Sequence, residues 1–258
     1  MSEAIIFRTH LYNSYWHKLL LKLNDSYQVV VIADTKKDSF NYNGLLQVEF
    51  SKENVERIGL SWENNLQWKC GDYAYYLASS VIDFNYAWMV EADVFINYDD
   101  LLCFFRSFDS NHSDFITTYF SRAESSWFWH DRLNVSFDKY RCFMPLTRIS
   151  KQAVEYLVNQ RIELGNSGND EIFVSTLLMK SGYLIEDINE TLNGVYRINS
   201  FSYDYPHYYW LLVSFNKKKK LIYHPCFFDF RSYLRHLLVK RSYKSVIKKL
   251  IKNRKSIG

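Results

Sequence analysis

The stretch Tyr86-Ala87-Trp88-Met89-Val90-Glu91-Ala92-Asp93 runs five apolar residues together and then presents two carboxylates separated by one residue. A short, unbroken apolar run predicts a strand buried on both faces, as in a parallel sheet. The carboxylates then fall at its C-terminal end, where open α/β sheets bind their ligands. Alternate side chains of a strand share a face, so Glu91 and Asp93 are placed to offer oxygen to a hard divalent ion together with phosphate oxygens. Acidic pairs at strand ends also serve as solvated caps, and both readings stand at this point.

Upstream, Ile5-Ile6-Phe7 reads as a first strand, the Leu-rich segment 14–23 as a helix, and Tyr27 to Ala33 as a buried strand stopping at Asp34. Strand, helix, strand within 35 residues opens a parallel α/β sheet. Leu45 to Phe50 suits a third strand, and Gly71-Asp72 precedes an apolar helix over Tyr73 to Ile82, with Asp72 as its expected N-cap. Downstream, the pattern predicts a helix over Asp99 to Phe108, a strand over Asp114 to Phe120, and an aromatic loop from Arg122 to Asp138. A strand near Arg141 to Pro145, a helix from Ser150 to Arg161, a Gly/Asn turn at 165–169, a helix from Asp170 to Lys180 and a strand from Tyr183 to Ile188 complete it. The fold expected is α/β, Rossmann-like, with a mostly parallel central sheet flanked by helices.

With 48% hydrophobic and 23% charged residues and only 8 Gly and 3 Pro, disorder, collagen and low complexity are excluded. The 258 residues suffice for one large domain with an appendage. Aromatic content of 18% hints at rings that stack on sugars or bases. Cys70, Cys103, Cys142 and Cys226 show no paired spacing, so free thiols and a cytoplasmic protein are expected. The opening residues lack a basic leader before a long apolar stretch, so no signal peptide is expected, and no apolar run reaches the roughly 20 residues that span a bilayer. From Arg231 to Gly258 there are ten Lys or Arg and no acid, which leaves a mildly acidic body.

The run Trp68-Lys69-Cys70-Gly71-Asp72-Tyr73, a helix, and then Tyr86 to Val94 resembles bacterial GT-A glycosyltransferases of cell-surface polysaccharide (lipopolysaccharide and capsule) synthesis, with Glu91-Ala92-Asp93 as a D-x-D-like motif. The likeness follows element order over roughly residues 1–190 and is motif-specific around 68–95 and 168–183. Glu91 stands where the family has its first Asp, which makes Asp93 the safer metal ligand. Gly168-Asn169-Asp170-Glu171-Ile172-Phe173 is similar to the segment supplying the catalytic base in inverting members; its alternative is a helix start decorated with acids. His224 of Tyr223-His224-Pro225 resembles the late histidine that completes metal coordination, with an ordinary structural histidine as the alternative. Asp34 and Arg8 stand where such folds meet the nucleotide, and Asp72 is a further nucleotide contact if it is not merely a cap.

The resemblance implies transfer of a hexose from a nucleotide-sugar, a UDP-sugar, to a lipid-linked or lipopolysaccharide or capsular glycan acceptor. It implies Mn²⁺ or Mg²⁺ on Glu91, Asp93 and His224, with Asp170 or Glu171 deprotonating the acceptor and inversion as the outcome. The aromatic residues 127–130 would then cover the sugar. A sugar nucleotidyltransferase would need a glycine-rich loop where Phe7-Arg8-Thr9-His10 has none, and no G-x-x-x-x-G-K-[ST] supports a P-loop kinase. The acidic body argues against nucleic acid as a partner. A membrane-associated scaffold or a nucleotide-sugar-binding protein without catalysis is the alternative. Residues 1–230 are expected to form the catalytic domain. Residues 231–258 read as a basic amphipathic helical tail that docks on an anionic membrane at the cytoplasmic face of the plasma membrane.

Overall fold

The computed structural model describes residues 2–34, 42–215 and 220–239 and divides the chain into two compact units. The first comprises Met1–Ala92 and Leu102–Asn193, the second Asp93–Leu101 and Gly194–Gly258. Along the first unit run β1 (Glu3–Thr9), α1 (Ser14–Leu23), β2 (Gln28–Ala33), β3 (Leu46–Glu49), α2 (Lys52–Arg57), α3 (Leu66–Lys69), α4 (Tyr73–Ser79) and β4 (Tyr86–Glu91). After β5 (Phe95–Asn97), which belongs to the second unit, come α5 (Leu101–Arg106), β6 (Phe115–Arg122), β7 (Tyr140–Ser150), α6 (Lys151–Leu164), α7 (Asp170–Lys180), β8 (Ile185–Asp187) and α8 (Ile188–Thr191). The second unit adds β9 (His207–Tyr208), α9 (Tyr209–Phe215), β10 (Leu221–Tyr223), β11 (Cys226–Phe227) and a helical stretch over 230–239. Of the basic tail expected from the sequence, 240–258 lie outside the described residues.

Seven strands of the first unit form one sheet in the order β3-β2-β1-β4-β7-β6-β8. Pairings among β3, β2, β1 and β4, and between β6 and β8, are parallel, while β7 runs antiparallel to both its neighbours. The expected mostly parallel α/β sheet is therefore present. Val29 to Ile32 of β2 and Ala87 to Val90 of β4 are buried throughout, which is why their sequences read as continuous apolar runs rather than alternating ones.

Three local differences have physical causes. Asp72 makes no side-chain capping bond to α4, because its carboxylate is taken by Arg161 and Tyr76 inside the core. The helix also stops at Ser79 rather than Ile82, since Ser79 and Ser80 donate their hydroxyls back to the Tyr76 and Leu77 carbonyls. Conversely, β7 continues past Pro145 to Ser150. The proline is tolerated because it falls where the β6–β7 register shifts, so no regular ladder bond is lost there.

Much of the aromatic content serves packing. Trp88 is fully buried against Phe104, Phe105 and Phe108 at ring separations of 5.6, 5.4 and 4.9 Å, and Tyr73, Tyr75 and Tyr76 of α4 are all within the core. All four cysteines are free thiols, three of them buried. No helix of the described residues is long and apolar enough to cross a membrane.

Candidate functional site

In the first unit, three adjacent parallel strands end together. Arg8 of β1 is in register with Glu91 of β4 and Ile32 of β2, and the Asp34 N–H donates to the Thr9 carbonyl at 2.8 Å. The C-terminal edge of the sheet thus carries Arg8, Asp34 and Glu91 side by side. Arg8 Nη1 lies 2.5 Å from Glu91 Oε1, and its other terminal nitrogen donates to the Gln67 carbonyl. Ala92 is held through both backbone groups, its N–H by the Arg8 carbonyl at 3.0 Å and its carbonyl by the indole N–H of Trp16 at 3.1 Å. The turn that leaves β4 is therefore fixed by β1 and α1. Asp34 Oδ1 is buried and has no hydrogen-bond partner among the described residues. An oxygen in that state favours any ligand that brings a donor to it.

Behind this edge lies a buried charge network. Arg161 of α6 binds Asp72 through both carboxylate oxygens, at 2.8 and 3.0 Å, and Tyr76 donates to the same group at 2.8 Å. The guanidinium stacks 3.5 Å over Phe173 of α7, so this pair ties α4, α6 and α7 together. Asp170 sits at the start of α7, whose N-cap is Asn169, with only 6% of its surface exposed. Its two oxygens accept from the N–H groups of Gly71 (3.0 Å) and Glu171 (2.9 Å). A Cβ at Gly71 would collide with both the Arg8 guanidinium and the Asp170 carboxylate, so glycine is what lets these groups converge. Burial, then the neighbouring Asp72 charge, pushes the Asp170 carboxyl up to about 7 against the pull of Arg8. Glu171 is also buried, with Asn169 Nδ2 at 3.4 Å from its carboxylate.

The aromatic loop is anchored to this helix start. Gly168 donates its N–H to the Arg132 carbonyl at 2.8 Å, and Asn134 donates to Ser167 Oγ at 3.3 Å. Arg132 stacks over Phe128 and Trp129 at 4.1 and 5.1 Å, and Trp129 meets Trp68 at a ring separation of 5.7 Å. Trp68 is 71% exposed and Phe128 64%, an arrangement of solvent-facing rings suited to the apolar face of a sugar.

In the second unit, Asp93 and His224 meet. Asp93 Oδ2 is 3.3 Å from His224 Nε2, and the Asp93 carbonyl accepts from the Cys226 N–H at 2.7 Å. The histidine backbone is fixed by Ser200 and Ser202, and its ring lies between Phe201 and Tyr203. Pairing of β5 with β10 brings the chain after Asp93 beside the chain before His224, although more than a hundred residues separate them. The spacing of these two atoms is close to the roughly 3 Å that adjacent ligands of an octahedral ion with bonds of about 2.1 Å would show, so the pair could hold one. One carboxylate and one imidazole fit Mn²⁺ better than Mg²⁺, since nitrogen raises affinity for the later metal.

Of the residues singled out from sequence, the structure brings Arg8, Glu91 and Asp34 to one sheet edge, and Asp170 to within contact of Gly71 beside Arg8. It joins Asp93 to His224, and it places Asp72 inside the core on Arg161. Arg161, Gln67 and Trp16 carry no motif signal in the sequence, and Gly71 stood out there only as the residue before Asp72 in the run that carries the resemblance.

No protein-family model matches the chain, and no curated protein matches it. Solved structures similar to it include the inositol-1-phosphate CTP transferase from T. maritima, 9% identical, with 72% of this chain and 84% of that one covered at a TM-score of 0.42. The galactosyltransferase LgtC, solved with donor and acceptor sugar analogues, is 10% identical, with 81% and 77% covered and a TM-score of 0.42. The mannosyltransferase Ktr4p from S. cerevisiae is 11% identical, with 73% and 69% covered and a TM-score of 0.39. Likeness this distant leaves the function to the chemistry of the site.

Proposed function

We propose that the chain is a metal-dependent glycosyltransferase of the GT-A type that moves a hexose from a nucleotide-sugar, a UDP-sugar, to a lipid-linked or lipopolysaccharide or capsular glycan acceptor. The observation that carries this reading is Glu91-Ala92-Asp93 leaving β4 at the sheet edge, with Arg8 on Glu91 and His224 on Asp93. In this reading Asp93 and His224 hold Mn²⁺ or Mg²⁺. Glu91, two residues before Asp93 in the chain, adds the carboxylate oxygen that Arg8 does not take. When bound, the ion offsets charge on the leaving diphosphate. Asp34 accepts from the ribose or base. Arg8 holds the Glu91 carboxylate in place and lends positive charge beside the phosphates.

Asp170 or Glu171 takes the proton of the acceptor hydroxyl, whose oxygen forms the new bond to the anomeric carbon as the bond to the diphosphate breaks, giving inversion. The raised pKa of Asp170 suits a base working near neutral pH, and its two backbone bonds also suit it to positioning Gly71 and Glu171. Trp68, Phe128 and Trp129 cover the sugar and keep water away. The membrane side of the reading rests on charge: residues 231–258 dock on an anionic surface at the cytoplasmic face of the plasma membrane, where a lipid-linked acceptor is found.

The test is a panel of nucleotide-sugars incubated with purified full-length chain, with and without Mn²⁺ or Mg²⁺. Metal-dependent release of nucleoside diphosphate from one donor is expected. Release from none of them would overturn the reading, and pyrophosphate formed from a nucleoside triphosphate plus a sugar phosphate would make the protein a nucleotidyltransferase instead.

A further inference from the structure

α9 has the sequence Tyr209-Trp210-Leu211-Leu212-Val213-Ser214-Phe215, yet only Leu212 of these seven is buried. Trp210 is 60% exposed, Leu211 41%, Val213 36% and Phe215 78%. A helix in contact with water on that much of its surface is ordinarily polar there, and large exposed apolar patches mark contact sites. Directly after it the sequence continues Asn216-Lys217-Lys218-Lys219-Lys220. The second apolar feature of the unit is contiguous. Tyr208, which precedes α9, meets Phe230 in a tilted contact and stacks on Tyr233, at ring separations of 5.5 and 5.6 Å. From there the helical stretch exposes Phe230, Leu234 and Leu238 at four-residue steps, with Arg231 and Arg235 also exposed.

We propose that α9 is a membrane-inserting element whose occupant is an anionic lipid bilayer, with Trp210 and Phe215 entering the headgroup and acyl boundary and the exposed Lys220, Arg231 and Arg235 meeting the lipid charge. The choice of occupant rests on charge. From Tyr205 to Gly258 the chain has fourteen Lys or Arg against one acid, Asp229. An aromatic and aliphatic helix followed by lysines is the composition of an interfacial anchor. A protein partner would have to match both a broad apolar face and this charge, whereas an anionic bilayer supplies both at once. The inference deepens the membrane reading given above but uses residues outside the 231–258 tail, so the two can fail separately.

The experiment is flotation of the full chain with phosphatidylcholine vesicles made with and without phosphatidylglycerol. Three chains are compared: wild type, Trp210→Ser/Phe215→Ser, and a truncation after Phe230. Wild type should float only with anionic vesicles, and the double variant should bind them about tenfold less or weaker. The truncation should retain measurable binding. Both substituted side chains face solvent, and unchanged circular dichroism and melting will confirm folding. As a second readout, brominated acyl chains should quench wild-type tryptophan fluorescence more than that of Trp210→Phe, which keeps an apolar ring. Equal flotation of wild type and double variant, with equal quenching of wild type and Trp210→Phe, would overturn the role of α9 and leave the tail as the anchor. No flotation of any chain would overturn both. A dimer that becomes monomeric in the double variant, with flotation unchanged, would assign the face to a second copy of the chain.

Discussion

Asp170 is the carboxylate for which burial has the largest consequence. With its pKa raised from 3.8 to about 7 by desolvation and by Asp72, the folded protein binds a proton there that the unfolded chain has already lost. Protons bound in excess by the folded state mean that stability falls as pH rises between the unfolded and folded pKa values. In the metal-free protein this group should therefore cost stability between about pH 4 and 7, on the order of a few kcal/mol. Asp170→Asn should flatten that stretch of the stability curve while keeping an acceptor for the Gly71 N–H. Urea midpoints of both proteins across that range give the comparison, and parallel curves would refute the assignment. Asp93 is expected to act through charge rather than shape. Asp93→Asn should fold normally yet lower metal-dependent donor cleavage by a hundredfold or more, about 3 kcal/mol in the barrier. Near-wild-type turnover at saturating Mn²⁺ would remove Asp93 from the metal site.

Between elements, the site depends on contacts that no local pattern announces. Val29 to Ile32, Tyr86 to Val90 and the acidic start of α7 were legible because burial on both faces and helix capping leave signatures within a few residues. By contrast, β5 and β10 are three residues each and too short for periodicity, so the approach of Asp93 to His224 could only be suggested by resemblance. The Asp72–Arg161 pair spans 89 residues, and the adjacent helix made capping the more natural expectation for Asp72. Removing Arg161 alone should leave a buried carboxylate uncompensated. Arg161→Ala is expected to cost about 3–5 kcal/mol in denaturant unfolding. Asp72→Ala/Arg161→Ala should cost less than the sum of the single changes. Additive losses would show that the two groups do not act as a pair. Gly71→Ala tests the convergence at the edge: its methyl would displace Arg8 or Asp170, so a loss of about 1–3 kcal/mol is expected together with lost donor cleavage.

Over the whole molecule, charge divides along the chain rather than by composition. The 258 residues carry a net +4, but residues 240–258 alone contribute eight Lys or Arg and no acid, so a chain ending at Val239 has a net charge of −4. That reversal of sign separates chemistry from location. The proposed donor and metal groups, from Arg8 to His224, all precede the cut, and a small water-soluble acceptor reaches them by diffusion. Truncation after Val239 should leave turnover with such an acceptor within about twofold of wild type. With an acceptor embedded in anionic vesicles, each basic residue near the surface contributes about 1 kcal/mol at low salt, so its loss should lower the rate tenfold or more. Added salt should narrow the gap between the two chains, because screening at about 0.15 M confines the attraction to roughly 8 Å. Rates on both acceptors, measured at low and physiological salt, decide the matter. Equal losses on the soluble and embedded acceptors would mean that 240–258 support the catalytic fold rather than the approach to the membrane.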